Sequence, residues 1–234
     1  MVKFTAGFAL ASVLSLANAT DFKASATRCV RVRNLTYLQP FSPMFVVSEK
    51  CLPLCLFLFL QDVAVFKEGF PASDAVKLMA EDGDNSALVE LVASADVAPC
   101  ACGSVAGDAP VFPGETWRGT LSIDESVGPD PVYSVVSMLI NTNDAFVGID
   151  ADDLNVYGSS KVFPPAFDAG TEANNELCTH IPGPAYPADS GNIEDGPGEE
   201  FIHVHRGFHG VGPDLGEANY DWRNPVAEVF IARQ

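Results

Sequence analysis

Val132-Tyr133-Ser134-Val135-Val136-Ser137-Met138-Leu139-Ile140-Asn141-Thr142-Asn143-Asp144-Ala145-Phe146-Val147-Gly148-Ile149 decides the fold class. Residues Val132–Ile140 are rich in β-branched and aromatic side chains, as are Phe146–Ile149. The polar residues between them favour a turn. Two strands joined by a tight connection are expected here. The same pattern recurs along the chain. Arg28–Tyr37, with Val30 and Val32 on one face and Arg31 and Arg33 on the other, reads as a first strand. Thr116–Ile123, Lys161–Phe167, Phe201–His205 and Val226–Ala232 read as further strands, separated by turn residues. Short strands at fairly even spacing predict an antiparallel sandwich. Two short helices interrupt them: Ser73–Ala80, capped by Ser73, and Ser86–Ala93, with Glu81–Asn85 as the turn between. Pro182–Gly198 holds so many Gly and Pro residues that it reads as a loop.

Composition narrows the function. Among 234 residues, 31 acids face 13 bases, for a formal charge of −18. A nucleic-acid binder working by phosphate neutralisation needs a basic surface, so that class is excluded. An anionic membrane would also be repelled unless a cation bridges the gap. Met1–Ala19 reads as a secretory signal peptide. Lys3 supplies its positive start, Phe8–Leu16 its apolar run and Ala17-Asn18-Ala19 its cleavage site. That run is too short to span a bilayer, and no later segment is long enough, so no transmembrane segment is expected. A secreted protein follows. Its six cysteines then suggest disulfides, with connectivity that the sequence does not give. Asn34-Leu35-Thr36 is a glycosylation sequon, making Asn34 a candidate glycan site.

Val47–Gln61 stands apart. It is unusually apolar and carries Cys51 and Cys55. Its codons can supply a splice donor at Val-Ser, a pyrimidine tract through Leu56–Leu60 and an acceptor at Gln61. One reading is a retained intron; the other is a buried strand or loop. Under the first, four cysteines remain as disulfide candidates: Cys29, Cys100, Cys102 and Cys178.

Several ordered strings carry a resemblance. They are Ser137–Asp150, Phe167-Asp168-Ala169-Gly170-Thr171-Glu172-Ala173-Asn174-Asn175-Glu176, His203–Gly210 and Trp222–Ala227. Upstream, Asn34-Leu35-Thr36, Gln39–Pro43, Gly69–Ser73 and Ala80–Asp84 occur in the same order. Together, from about Arg28 to the carboxyl terminus, the chain resembles the spondin amino-terminal domain family in its microbial single-domain form. The resemblance implies a C2-like antiparallel β-sandwich with a short helical insertion and one calcium ion at an edge. It implies an extracellular interaction or adhesion module rather than an enzyme. The partner would be an extracellular-matrix, cell-wall or surface component. By the same resemblance the calcium ligands are Asp144, Asp168 and Glu172, with Asp150, Asn143 and Asn175 in reserve. The residue types suit the ion, since calcium takes six to eight hard oxygens, and Gly170 allows a tight turn between the last two acids. Asp and Asn also cap turns without any metal.

His203, His205 and His209 offer a second constellation. On a strand, His203 and His205 would share a face about 6.5–7 Å apart. Imidazoles suit zinc, copper or nickel, and Glu199 or Glu200 could serve beside them as ligand or base. A secreted metalloenzyme using these three histidines is the alternative function. The plainer reading is packing and loop orientation. Trp117, Trp222 and Tyr220 could stack on sugars, but in a sandwich they read as core.

Overall fold

The computed structural model describes residues 25–49, 65–94, 97, 101–124, 132–150, 159–183, 196–212 and 220–234. Among them are ten strands: β1 (Ser25–Asn34), β2 (Phe45–Glu49), β3 (Ala101–Ala106), β4 (Thr116–Asp124), β5 (Val132–Met138), β6 (Ala145–Ile149), β7 (Ser159–Val162), β8 (Ala166–Asp168), β9 (His203–Val204) and β10 (Ala227–Arg233). Two helices, α1 (Asp74–Asp82) and α2 (Ser86–Ala93), lie between β2 and β3. The strands form two antiparallel sheets, ordered β4-β1-β10-β7 and β3-β2-β5-β6-β8-β9. This is the expected β-sandwich with a small helical insertion. Among the described residues no helix is long and apolar enough to cross a membrane, which says nothing of a β-barrel.

The layers follow from the side-chain pattern. Val30, Val32, Leu121, Ile123, Val229 and Ile231 point from the four-stranded sheet into the sandwich. There they meet Val46, Tyr133, Val135, Val147 and Ile149 of the larger sheet. The opposite face of the larger sheet carries Phe45, Val47, Val136, Met138, Phe146 and Phe167. It is covered by Val76, Met79, Ala80 and Leu88 of the helices. With both faces covered, β2 and β5 are buried at every position instead of alternating, Ser48, Glu49, Ser134 and Ser137 included. Ser73 caps α1 through Val76 N–H, and Gly83, at φ 69°, ends it in the left-handed conformation that favours glycine.

Several expectations shift. Lys161–Phe167 is not one strand. Pro164 and Pro165 separate β7 from β8, and the two join different sheets. A proline lacks the N–H that a continuous ladder needs. Phe201–His205 contracts to the two residues of β9. Strand β3 has no counterpart in the sequence reading, and β2 matches the buried-strand alternative for Val47–Gln61 only at Val47–Glu49. Val47, Ser48 and Glu49 pair with Ser134, Tyr133 and Val132 inside the larger sheet, so these three belong to a buried strand. Residues 50–61 of the proposed intron lie outside the described residues, as do the signal peptide, Cys51, Cys55 and Cys100.

Asn34 is wholly buried. Its Nδ2 donates to the carbonyls of Gln39 and Val111, and its Oδ1 accepts from the N–H and hydroxyl of Thr36. Both amide hydrogens are used in the interior, so the folded chain has no place for a glycan at Asn34. Cys29 carries a free thiol: its ladder partners are Ala232 and Thr120, and no cysteine of the described residues bonds it. Trp222 packs in the inter-sheet core, with Trp117 half-buried against it.

Candidate metal centre

Three neighbouring strands bring chemistry to one end of the larger sheet. Asp144 ends the β5–β6 turn, where Thr142 Oγ1 accepts from Ala145 N–H and donates to the Leu139 carbonyl. Asp168 closes β8, opposite Ala145 in the ladder. His203 opens β9, opposite Asp168. The connection after β8 turns sharply at Gly170, at φ 68°, where a Cβ would lie 2.4 Å from the Phe201 carbonyl oxygen. Only glycine fits there, and the turn folds Thr171 and Glu172 back over Asp144.

Asp144 and Asp168 therefore come close enough for their charges to interact, and the Glu172 backbone N–H donates to Asp144. The carboxylates of Asp144, Asp168 and Glu172 do not all gather within 4.8 Å of one another, as those of Asp168 and Glu199 do with His203 among the described residues. Asp144 Oδ2 accepts from Thr171 N–H at 2.8 Å, Thr171 Oγ1 at 3.2 Å and Glu172 N–H at 3.1 Å. Asp144 Oδ1 is buried and accepts no hydrogen bond among the described residues. Asp168 Oδ1 accepts from Gly170 N–H at 2.7 Å, and Oδ2 from Asn174 Nδ2 at 2.6 Å. Glu172 is 2% exposed, and both aspartates are fully buried.

Burial raises the Asp144 carboxyl well above the usual carboxylate range. The charge of Asp168 raises it further, against hydrogen bonds from Thr171 and Glu172. Asp168 is also raised, chiefly by burial, against its bonds from Asn174 and Gly170 and the nearby His203. Two desolvated, mutually repelling carboxylates are stable together only with a shared proton or a cation between them.

The reserve ligands divide. Asn143 donates to Asn175 Oδ1 at 3.2 Å, so the two brace each other beside the site. Asp150 lies beyond the far end of β6, six residues from Asp144 and thus about 20 Å along an extended strand. It is not a ligand of this centre.

The histidines take three different roles. His205 Nδ1 accepts from Gly207 N–H at 3.0 Å, so the hydrogen of the neutral ring sits on Nε2. Nε2 contacts Asn174 Oδ1 at 3.1 Å. Both nitrogens are occupied, and burial pushes the His205 pKa down to about 3, with the charges of His209 and His203 adding to the effect. His205 is therefore a buried brace, the plainer of the two readings, rather than a candidate metal ligand. Through Asn174 it fixes the Asp168 carboxylate. His209 is exposed, with its ring stacked on His205 at 6.5 Å between centroids. His203 is half-buried, with Nε2 3.8 Å from Asp168 Oδ1 and 3.9 Å from Glu199 Oε2. The three histidines line one cleft, but among the described residues their ring nitrogens do not gather as a three-ligand group.

Two contributors escaped the sequence. Asn174 looked like one more polar loop residue, and only its bond to Asp168 reveals its place. Glu176 accepts from the backbone N–H groups of His209, Gly210, Val211 and Gly212, and so ties the histidine loop to the acidic one. Its position two residues after Asn174 in an acid-rich string gave no such signal.

A search of protein-family models finds no match to this chain, and a search of curated proteins finds none either.

Proposed function

We propose that this chain is a secreted calcium-binding β-sandwich that acts as an extracellular interaction and adhesion module. One observation carries the reading. Asp144 and Asp168 are buried and interact by charge at one sheet end, Glu172 is buried beside them through its backbone bond to Asp144, and Asp144 Oδ1 has no hydrogen-bond donor among the described residues. A divalent ion would neutralise the repulsion between Asp144 and Asp168 and take up the open lone pairs. Its hard-oxygen environment suits calcium. The resemblance to spondin amino-terminal domains supports the same three ligands.

Calcium would fasten the Gly170 turn to the β5–β6 turn. Beside that turn, Phe201 and Phe70 are 43% and 54% exposed, joined through the Ile202 N–H bond to the Phe70 carbonyl. The ion would thus hold an apolar rim in shape and reduce the acidic charge next to it. A matrix, cell-wall or surface component could then approach a chain of net charge −18.

Calorimetric titration tests the binding step. One calcium per chain is expected, with Kd of about 10⁻⁴–10⁻³ M as in extracellular modules. Calcium-dependent retention of the full chain on cell-wall or matrix material tests the module role. No heat of calcium binding, or equal retention in calcium and in chelator, would contradict the proposal.

A further inference from the structure

We propose that Asp168, Glu199 and His203 form a second site, for a transition-metal dication of the zinc class. The inference does not rest on the calcium reading, because two of its three ligands lie outside that centre.

The ligands are placed by backbone. Asp168 and His203 are direct cross-strand partners in the β8–β9 ladder. Glu199 arrives on a segment locked to the Gly170 turn. Glu200 N–H donates to the Gly170 carbonyl at 2.8 Å, and Gly198 sits so close that a Cβ would lie 2.5 Å from the same oxygen. One ligand atom from each of Asp168, Glu199 and His203 falls within 4.8 Å of the others.

The orientation of His203 is the second observation. Its Nδ1 lies 3.3 Å from the Val204 carbonyl, which can only accept, so Nδ1 carries the hydrogen. In the neutral ring Nε2 then holds a lone pair, and it faces two carboxylates at 3.8 and 3.9 Å. Three electron-rich atoms around one gap are the arrangement a cation resolves. A carbonyl on the far nitrogen is the usual way of aiming a metal-binding imidazole. Asp168 is held in turn by Gly170 N–H and by the Asn174–His205–Gly207 chain.

The chemistry selects the ion. Imidazole with carboxylate suits zinc and its neighbours, whereas calcium seeks oxygen alone. Zinc bonds of about 2.0–2.1 Å give a tetrahedral ligand edge of roughly 3.3 Å. The two spacings from His203 exceed that by about half an ångström and Asp168 and Glu199 lie within 4.8 Å, a gap that rotation of Glu199 and His203, which are 41% and 31% exposed, can close. Outside the three ligands, a solvent-open cleft of about 160 Å³ is lined by His209 and Asn174 as well, leaving room for water or a fourth ligand.

The test uses the full chain stripped of metal, equilibrated with micromolar free zinc and assayed by elemental analysis. One zinc per chain is expected. Glu199→Gln and His203→Gln should each weaken binding at least tenfold, while Asp144→Asn keeps zinc. Cobalt in place of zinc should give visible d–d bands that His203→Gln alters. Melting curves establish that each variant is folded. If His203→Gln does not fold, Glu199→Gln decides the matter. Absence of stoichiometric zinc, or equal zinc affinity in both variants and wild type, would overturn the proposal. So would loss of zinc in Asp144→Asn with retention in Glu199→Gln, which would move the ion to the buried acids.

Discussion

Asp144→Asn separates the ionic role of this side chain from its structural one. Oδ2 accepts from Thr171 and Glu172, and the oxygen of an asparagine amide can take over those bonds. What disappears is the charge, which burial and Asp168 make costly without a cation. In wild type, 10 mM calcium acting on a Kd of about 10⁻³–10⁻⁴ M stabilises the fold by RT ln(1 + [L]/Kd), about 1.4–2.7 kcal/mol. For a domain of this size that is a rise in Tm of about 3–11 °C. The assay is thermal unfolding at pH 7.5 in calcium and in excess chelator. The pH matters, because both aspartates have raised folded pKa values. Their contribution to metal-free stability is fully present below the unfolded value of 3.8 and is lost as pH rises through the folded values. Well above pH 3.8 the metal-free protein therefore bears the cost of burying these carboxyls, and Asp144→Asn in chelator should melt at or above wild type. In calcium the order reverses, because the variant has lost its response to the ion. A full calcium response in the variant, or none in wild type, refutes the reasoning.

Three further outcomes follow from the same geometry. Acid should destabilise the fold through His205. Its pKa drops from 6.5 to about 3, so its contribution is present above pH 6.5 and is lost as pH falls towards 3. Denaturant titrations between pH 7 and 4 should show a shallower decline in His205→Gln than in wild type, and equal slopes would contradict the assignment. Asn34→Ala removes two amide donors and leaves the Thr36 N–H without its acceptor, while the Gln39 carbonyl keeps the Thr36 hydroxyl and the Val111 carbonyl keeps Phe41 N–H. It should cost about 1–3 kcal/mol in urea unfolding, with peptide mass spectrometry of the wild type showing Asn34 unmodified. Gly170→Ala forces a Cβ to within 2.4 Å of the Phe201 carbonyl at positive φ, and should cost about 1–3 kcal/mol and blunt the calcium response. A variant as stable and as calcium-responsive as wild type would show that the turn is not needed.

The sequence disclosed most where local chemistry and tertiary role coincide. The turn at Asn141–Asp144, the Ser73 cap and the Asp168-Ala169-Gly170 bend are each dictated by residues a few positions apart, and each occurs where expected. The strand-end positions of Asp144 and Asp168 were legible too, but their approach comes from the antiparallel pairing of β6 with β8, which sets Ala145 opposite Asp168. Other features depend on what lies across the fold. Strand β2 shows no alternation because helices cover the second face of its sheet. The sequon at Asn34 looks like an exposed strand end until the carbonyls of Gln39 and Val111 are found at its amide. His203 and His205 have matching spacing, but the N–H of Gly207 claims one ring and leaves the other facing carboxylates. Spacing alone cannot distinguish a ligand from a brace, because the difference lies in the partner of the second nitrogen.

A crystal of the full chain grown in millimolar calcium tests the central claim most directly. The account predicts one ion with oxygen ligands at about 2.3–2.6 Å, bound by Asp144 Oδ1 together with the carboxylates of Asp168 and Glu172. Ordered calcium elsewhere, or none within bonding distance of Asp144 and Asp168 at that concentration, would contradict it.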